Sequence, residues 1–348
     1  MLFLNFLWAS AFLVIPGILA SKALTDAWLA PLLIIPPALF NYWVIWKLQS
    51  LFPGKTIAAI CLKLLGPWLG GILAGAYAWF ALMLAALVLR NFGDFIGLNF
   101  LPETPREVLH LAFLALVVWA VYEGIETIAR VNQIFIGVIF LLIIVGTTFT
   151  LQDFHGGNLL PLAARGWQPV AAALLSIWGF PFAELVAASF VLNHLRDLPK
   201  FFPLMAKTAA GAACGLLLVT VLALGTFGAD FTSKMTYPVL QLDKYTSVGG
   251  FLGRTEILSM SFLFLSGFIK IALCFKGALV YIRDLAGLTS YKPLLWPLAA
   301  IVFSLSFLLY RDIIHQITFA GSVWPYYSVT MGFFIPLLLL LYARLSSP

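Results

Sequence analysis

Charge is what this chain has least of. Of its 348 residues only 20 are Lys or Arg and 14 are Asp or Glu, whereas 62% are hydrophobic and the mean hydropathy is +1.03. A soluble domain carries roughly a quarter of its residues as charges, so a water-soluble globular fold is excluded. The net charge of +6 is spread among polar connections between apolar runs. It reads as membrane topology and not as a nucleic-acid surface. Cysteine is scarce too: Cys61, Cys214 and Cys274 stand in or beside apolar runs at unrelated spacings, which fits packing residues and neither a disulfide framework nor a metal set. The four histidines, His110, His155, His194 and His315, are scattered and fall mostly at loop edges. No HExxH, CxxC, phosphate loop, dinucleotide fingerprint or Ser-His-Asp order stands out. The expectation is a protein without enzymatic activity, cofactor or metal.

What the chain has is apolar runs. A span needs about 20 such residues, and ten candidates follow one another at about 2–22, 29–50, 68–92, 107–122, 131–151, 168–193, 204–227, 255–281, 293–310 and 325–343. The fold class is therefore an all-α polytopic membrane protein forming one transmembrane domain over 1–348. Its two halves cover about 1–151 and 168–345. The first run resembles a signal peptide loosely, but it has no basic lead and is long for one, so it reads as the first span. With the N-terminus inside, Lys47, Lys55, Lys63, Arg130, Arg196, Lys200, Lys207, Lys276, Arg283, Lys292 and Arg344 face the cytoplasm. Lys22, Arg90, Arg106, Arg165, Lys234, Lys244, Arg254 and Arg311 face the other side with most of the acids, a bias of 11 against 8. That agrees with the positive-inside rule and puts both termini in the cytoplasm. Trp28, Trp43, Trp46, Trp68, Trp167, Trp296 and Trp324 sit near predicted span ends, where tryptophan anchors at the interface. Gly66–Gly70, Gly71–Gly75 and Gly211–Gly215 are spacings for close helix packing.

Two runs are interrupted. The sixth, Ser176–Asn193, holds Gly179, Pro181 and Glu184 in its middle. Proline removes a backbone donor, and a carboxylate at mid-membrane costs about 2.5–3.5 kcal/mol on the lenient insertion scale. Backbone freed at that depth is tolerated only against protein or a watered cavity. The first run carries small residues and then proline, Ala9-Ser10-Ala-Phe-Leu13-Val-Ile-Pro16. If ten spans divide five and five, these are corresponding members, and paired interruptions point to a solute site at the bilayer midplane. Two ordinary proline kinks remain the plainer alternative. Lys270, deep in the eighth run, is the natural counterpart of Glu184, near it or in a cation's place; a lysine snorkelling to the cytoplasmic surface is the alternative. Phe180 and Phe182 offer an apolar wall. Glu126 and Arg130, four apart, can pair at a junction that also holds Glu123. Arg254 and Glu256 open the eighth run, where gating and loop tethering both stay open.

The order of short motifs is more specific than any one of them. Pro16, Asp26-Ala-Trp-Leu29, Phe52-Pro-Gly-Lys-Thr56, Leu65-Gly66, Leu101-Pro-Glu-Thr-Pro105, Gly124-Ile-Glu-Thr-Ile-Ala-Arg130, Asn158-Leu-Leu-Pro161, Gly179-Phe-Pro-Phe-Ala-Glu184, Tyr237-Pro238, Arg254-Thr-Glu256 and Gly267-Phe-Ile-Lys270 follow one another across nearly the whole chain. In this order they resemble the GerAB-type spore germination proteins, endospore germination permeases of the amino acid–polyamine–organocation superfamily. Ala9-Ser10 stands where that family usually has glycine. The resemblance implies a LeuT-like 5+5 inverted repeat with broken helices 1 and 6, in the inner membrane of a spore. It implies a nutrient ligand, with an amino acid as the expected class, held by Ala9, Ser10, Leu13, Tyr77, Gly179, Phe180, Phe182, Glu184, Ser266 and Gly267, with Glu184 and Lys270 coupling charge or protons. It also implies a GerAA-type membrane subunit and a GerAC-type lipoprotein as partners. A proton-coupled amino acid permease is the alternative function.

Overall fold

The computed structural model describes residues 1–162, 166–194, 201–245 and 255–346. Among these there is helix and no strand. In chain order the helices are α1 (Leu2–Ala23), α2 (Leu29–Leu33), α3 (Ile35–Leu51), α4 (Ile57–Asn99), α5 (Arg106–Glu123), α6 (Ile125–Thr150) and α7 (Trp167–Ile177). A π-turn over Trp178–Phe182 and a 3₁₀ segment over Ala183–His194 continue α7. Then come α8 (Phe201–Phe227), α9 (Ala229–Thr232), α10 (Pro238–Tyr245), α11 (Ile257–Leu285), α12 (Leu295–Leu308), α13 (Ile313–Ser322), α14 (Trp324–Val329) and α15 (Ile335–Ser346). Arg165, Arg196, Lys200 and Arg254, used above to argue topology or gating, lie outside the described residues.

By length and apolarity alone, seven helical stretches among the described residues can cross a bilayer, or eight if α12 and α13, bent by 101° at their junction, count as one span. Two expected spans fall short of that test for visible reasons: α3 has 17 residues, and α5 carries Arg106, Glu107 and Glu123. Helix α13 belonged to no expected span. Its start is written in the chain, because the Asp312 carboxylate accepts the His315 amide at 2.8 Å as an N-cap. Helix α4 is 43 residues long because two helices meet at Gly66, whose φ of 75° is open to glycine at little cost and whose successor Pro67 disfavours helix before it. A short helix up to Leu65 therefore precedes the long span that follows Pro67.

Burial sorts the helices. The apolar window of the first span is 89% buried and that of the sixth 72%, against 17% for α6. A helix apolar on every side belongs inside a bundle, and α1 and the broken sixth span form the centre. α6 lies at the edge, held to α1 by the buried Asn5 amide donating to Asn132 Oδ1 at 2.8 Å. The alternate connections gather at opposite ends. At one end Thr56 Oγ1 donates to Asp284 at 2.5 Å and the Tyr291 hydroxyl to the Val121 carbonyl at 3.3 Å. At the other, Thr25 donates to the Pro161 carbonyl at 3.1 Å and Lys244 Nζ to Asn99 at 3.4 Å. Glu126 and Arg130 do pair, at 2.6 Å on an exposed face.

Two sequence expectations need correction. His110 is not at a loop edge: it is buried within α5, its Nδ1 2.8 Å from Ser306 Oγ. Trp324 is not an interfacial anchor, being 2% exposed in the centre of the bundle.

At the end where Lys244 meets Asn99, α10 is tied to the start of α11. The Asp243 carboxylate accepts the Ser259 amide at 3.0 Å and the Ser259 hydroxyl, while Thr255 donates to the Asp243 carbonyl. Burial outweighs those bonds and pushes the Asp243 carboxyl up to about 7 from 3.8. The folded chain thus holds a proton that the unfolded chain has released, and folding takes one up between about pH 4 and 7. Stability from this group falls as pH rises through that window. Comparing thermal midpoints of wild type and Asp243→Asn across it, the variant should lose this downward component; parallel curves would refute the assignment.

Candidate functional site

The central feature is the interruption of the sixth span. Pro181 has no N–H to give the preceding turn, and Phe180 adopts an extended backbone (φ −126°, ψ 106°) inside the π-turn. A 3₁₀ run as long as Ala183–His194 is uncommon, since its hydrogen bonds are poorer than those of an α-helix. The opposing break in α1 falls at Ala9 (φ 12°, ψ −126°). Neighbouring side chains satisfy carbonyls of the sixth-span break, as an apolar medium demands. Ser328 donates to Gly179 O at 2.8 Å, Tyr42 to Phe182 O at 3.4 Å, and Tyr281 to Val186 O at 2.8 Å. Tyr77 donates to the Met331 carbonyl at 3.0 Å, in the π-turn Thr330–Phe334 between α14 and α15.

Just past the break stands Glu184, 1% exposed. Its Oε2 accepts Lys270 Nζ at 2.5 Å and its Oε1 accepts the Trp324 indole N–H at 2.5 Å. Lys270 is fully buried and also lies over the rings of Phe6 and Phe180, at 5.0 and 5.2 Å. Trp324 is fixed in turn by stacking on Phe80, with centroids 5.3 Å apart and planes 4° apart. Three helical units, the sixth span, α11 and α14, therefore meet through one carboxylate. Lys270 does not snorkel. The ion pair is mutually compensated, and the indole and two aromatic faces supply further partners, the condition under which buried charges are tolerated.

A cavity of about 500 Å³, counting space that opens toward solvent, lies against this network. Of the residues expected to hold a ligand, Ser10, Phe180 and Glu184 line it. Leu13 faces a different cavity, of about 440 Å³, beside Asp243 and Ser259. The others lie elsewhere in the packing. Ala9 carries the first break, and Tyr77 is spent on Met331. Gly179 packs against Pro325, and Phe182 is in the core. Ser266 bonds back to Phe262 O at 2.6 Å in its own helix, and Gly267 is buried against Leu263. The wall also contains Asn91, Tyr237, Tyr310, Gln316 and Trp324, which the sequence reading did not place there. Tyr237 donates to Asn91 Oδ1 at 3.2 Å. Gln316 Oε1 is a buried acceptor with no protein donor among the described residues. The available signals were weak: Tyr237 stood in a family motif, and Gln316 is a polar residue in the apolar half of α13.

The site thus has a carboxylate, a spare amide oxygen, hydroxyls and aromatic faces beside two helix breaks. A family model described as spore germination protein matches residues 1–313. The chain belongs to the spore germination permease family, of GerAB type. Among curated relatives, spore germination protein KB of Bacillus subtilis (strain 168) is 25% identical over 328 residues, covering 91% of this chain and 85% of KB. From the same organism, YndE is 21% identical over 252 residues and spore germination protein A2 is 22% identical over 258; each alignment covers 72% of this chain and 69% of the relative. A germination permease with this many apolar helices is a multi-pass membrane protein. The family resemblance carried by the scattered motifs is therefore real over most of the chain.

Proposed function

We propose that this germination permease is the nutrient-recognition subunit of a spore germinant receptor and that its ligand is an amino acid. It uses a ten-span, 5+5 inverted-repeat transporter architecture, with halves at about 1–151 and 168–345, in the spore inner membrane with both termini cytoplasmic. A GerAA-type membrane subunit and a GerAC-type lipoprotein receive its signal. The observation that carries the reading is the Glu184–Lys270–Trp324 network, closed over a partly polar cavity at the paired breaks. An α-amino acid brings an ammonium group that competes with Lys270 for Glu184 and can donate to Gln316 Oε1. Its carboxylate suits the freed N–H groups at a helix break. Redistribution of Glu184 between Lys270 and ligand gives two states of one junction, and a ligand that prefers one of them shifts the population.

The same network serves a proton-coupled permease, so the test separates the two. Purified protein in nanodiscs is assayed for binding of a labelled amino-acid panel, and in proteoliposomes for uptake with and without an inward proton gradient. Binding without uptake is the expected result for a sensor. Gradient-stimulated uptake that Glu184→Gln abolishes would make the protein a permease. Absence of binding by every amino acid in the panel would overturn the assignment of ligand class.

A further inference from the structure

Another cavity, of about 860 Å³ with its solvent-open part, lies at the end of the bundle where Thr56, Asp284, Val121 and Tyr291 meet, away from the nutrient site. Its wall is basic. Lys276, on α11, is 4% exposed and lines it. The ammonium donates to the Tyr291 hydroxyl at 2.9 Å and lies 4.3 Å from that ring's centroid. Among the described residues no carboxylate pairs with it. Arg283 and His194 share the wall. Arg283 is held by Asp284, at 2.9 Å through Nε and 2.5 Å through Nη2, and the other Asp284 oxygen takes the Thr56 hydroxyl. The Arg283–Asp284 pair is thus near neutral, and the charge of Lys276 stands uncompensated.

Backbone adds to it. Gly124 and Ile125, which line the cavity, are the start of α6, and no side chain among the described residues caps that terminus. Thr56, the N-cap of α4, lines it as well. The start of α4 is capped by Thr56 Oγ1, which accepts the Ala59 amide at 3.2 Å, so it is the uncapped start of α6 that brings free N–H groups and partial positive charge to this space. A buried ammonium without a counter-charge is costly, and a helix start that meets it is a ready anion receptor. We propose that this cavity binds a small oxyanion, a phosphate or a carboxylate, with Lys276 as its charged partner and the start of α6 as its backbone donor. Bound there, the anion bridges α6, α11 and the end of the sixth span, and so ties the basic end of the broken helix to its neighbours. The proposal is independent of whether an amino acid binds beside Glu184.

The test uses the full chain in neutral-lipid nanodiscs, with inorganic phosphate and malonate as probes and chloride at matched ionic strength as control. The thermal midpoint should rise with the logarithm of the concentration of at least one probe, as binding to the folded state requires. The two probes separate phosphate from carboxylate. Lys276→Gln should weaken the apparent affinity at least tenfold, while Lys276→Arg keeps most of it. Phosphorus NMR line broadening of inorganic phosphate, or saturation transfer to malonate, reports binding on wild type without any variant. Failure of both probes to exceed chloride in midpoint and NMR would overturn the proposal, as would a Lys276→Gln protein that responds like wild type.

Discussion

Glu184→Gln and Lys270→Met each destabilise the protein by about 3–5 kcal/mol, whereas the double variant costs clearly less than the sum. The reason is the asymmetry of buried ion pairs. Removing one partner strands the other charge in a low-dielectric interior, while removing both leaves a neutral core that packs acceptably. Here the stranded group is well defined. Among the described residues, the carboxylate without Lys270 keeps only the Trp324 indole donor, and the ammonium without Glu184 keeps only the faces of Phe6 and Phe180. Residues in direct contact couple by about 0.5–3 kcal/mol in double-mutant cycles, and a pair joined at 2.5 Å with both members within 1% of full burial belongs at the upper end. Chemical or thermal denaturation of the four proteins in one detergent measures it. Strictly additive losses would mean that the two charges do not depend on each other in the folded state. Ligand response should vanish in all three variants, including the double one that regains stability, because the junction would then be neutral and have a single state.

That pair was legible in the sequence because physics leaves few options. An acid and a base in separate apolar runs are each expensive in lipid, so each needs a partner, and each is the other's cheapest one. Helix content and the break at Pro181 were legible for similar local reasons, whereas Gly66, read as a packing glycine, is where α4 breaks. The cavity wall was not. A tryptophan beside a span end looks the same whether it anchors at the interface or turns inward to a carboxylate, and only the placement of α14 beside the sixth span decides for Trp324. Tyr77 is buried with its hydroxyl committed to a backbone carbonyl 254 residues away, a bond that no spacing in the chain announces. Ser266 and Gly267 lie one helical turn from Lys270, yet the serine spends its hydroxyl on its own helix. Asn91, Tyr237 and Gln316 reach the cavity from helices and connections whose order in space is fixed by tertiary closure alone. The signal for a site was local and chemical; the lining was topological.

Gly179→Ala should abolish ligand response at a stability cost of about 1–3 kcal/mol, the range for overpacking. The family resemblance implies a ligand-lining glycine, and in the structure Gly179 also makes a close approach to Pro325. A methyl group at this position would run into the backbone of Pro325, which unlike a side chain has no rotamer to yield with. Ser328 binds the Gly179 carbonyl from the same side, and Pro325 directly follows Trp324. Displacing α14 therefore draws the indole away from Glu184, so the effect of the methyl reaches the charged junction through one rigid neighbour. A cycle with Trp324→Phe distinguishes this route from general damage. If Gly179→Ala acts by displacing the indole, the phenylalanine variant loses most of its own effect in the alanine background. Independent, additive effects would instead show that the glycine matters only for packing. Ser328→Ala supplies the contrast. It removes one hydrogen bond, worth about 1 kcal/mol, and adds no bulk, so it should weaken the junction slightly and leave the ligand response in place.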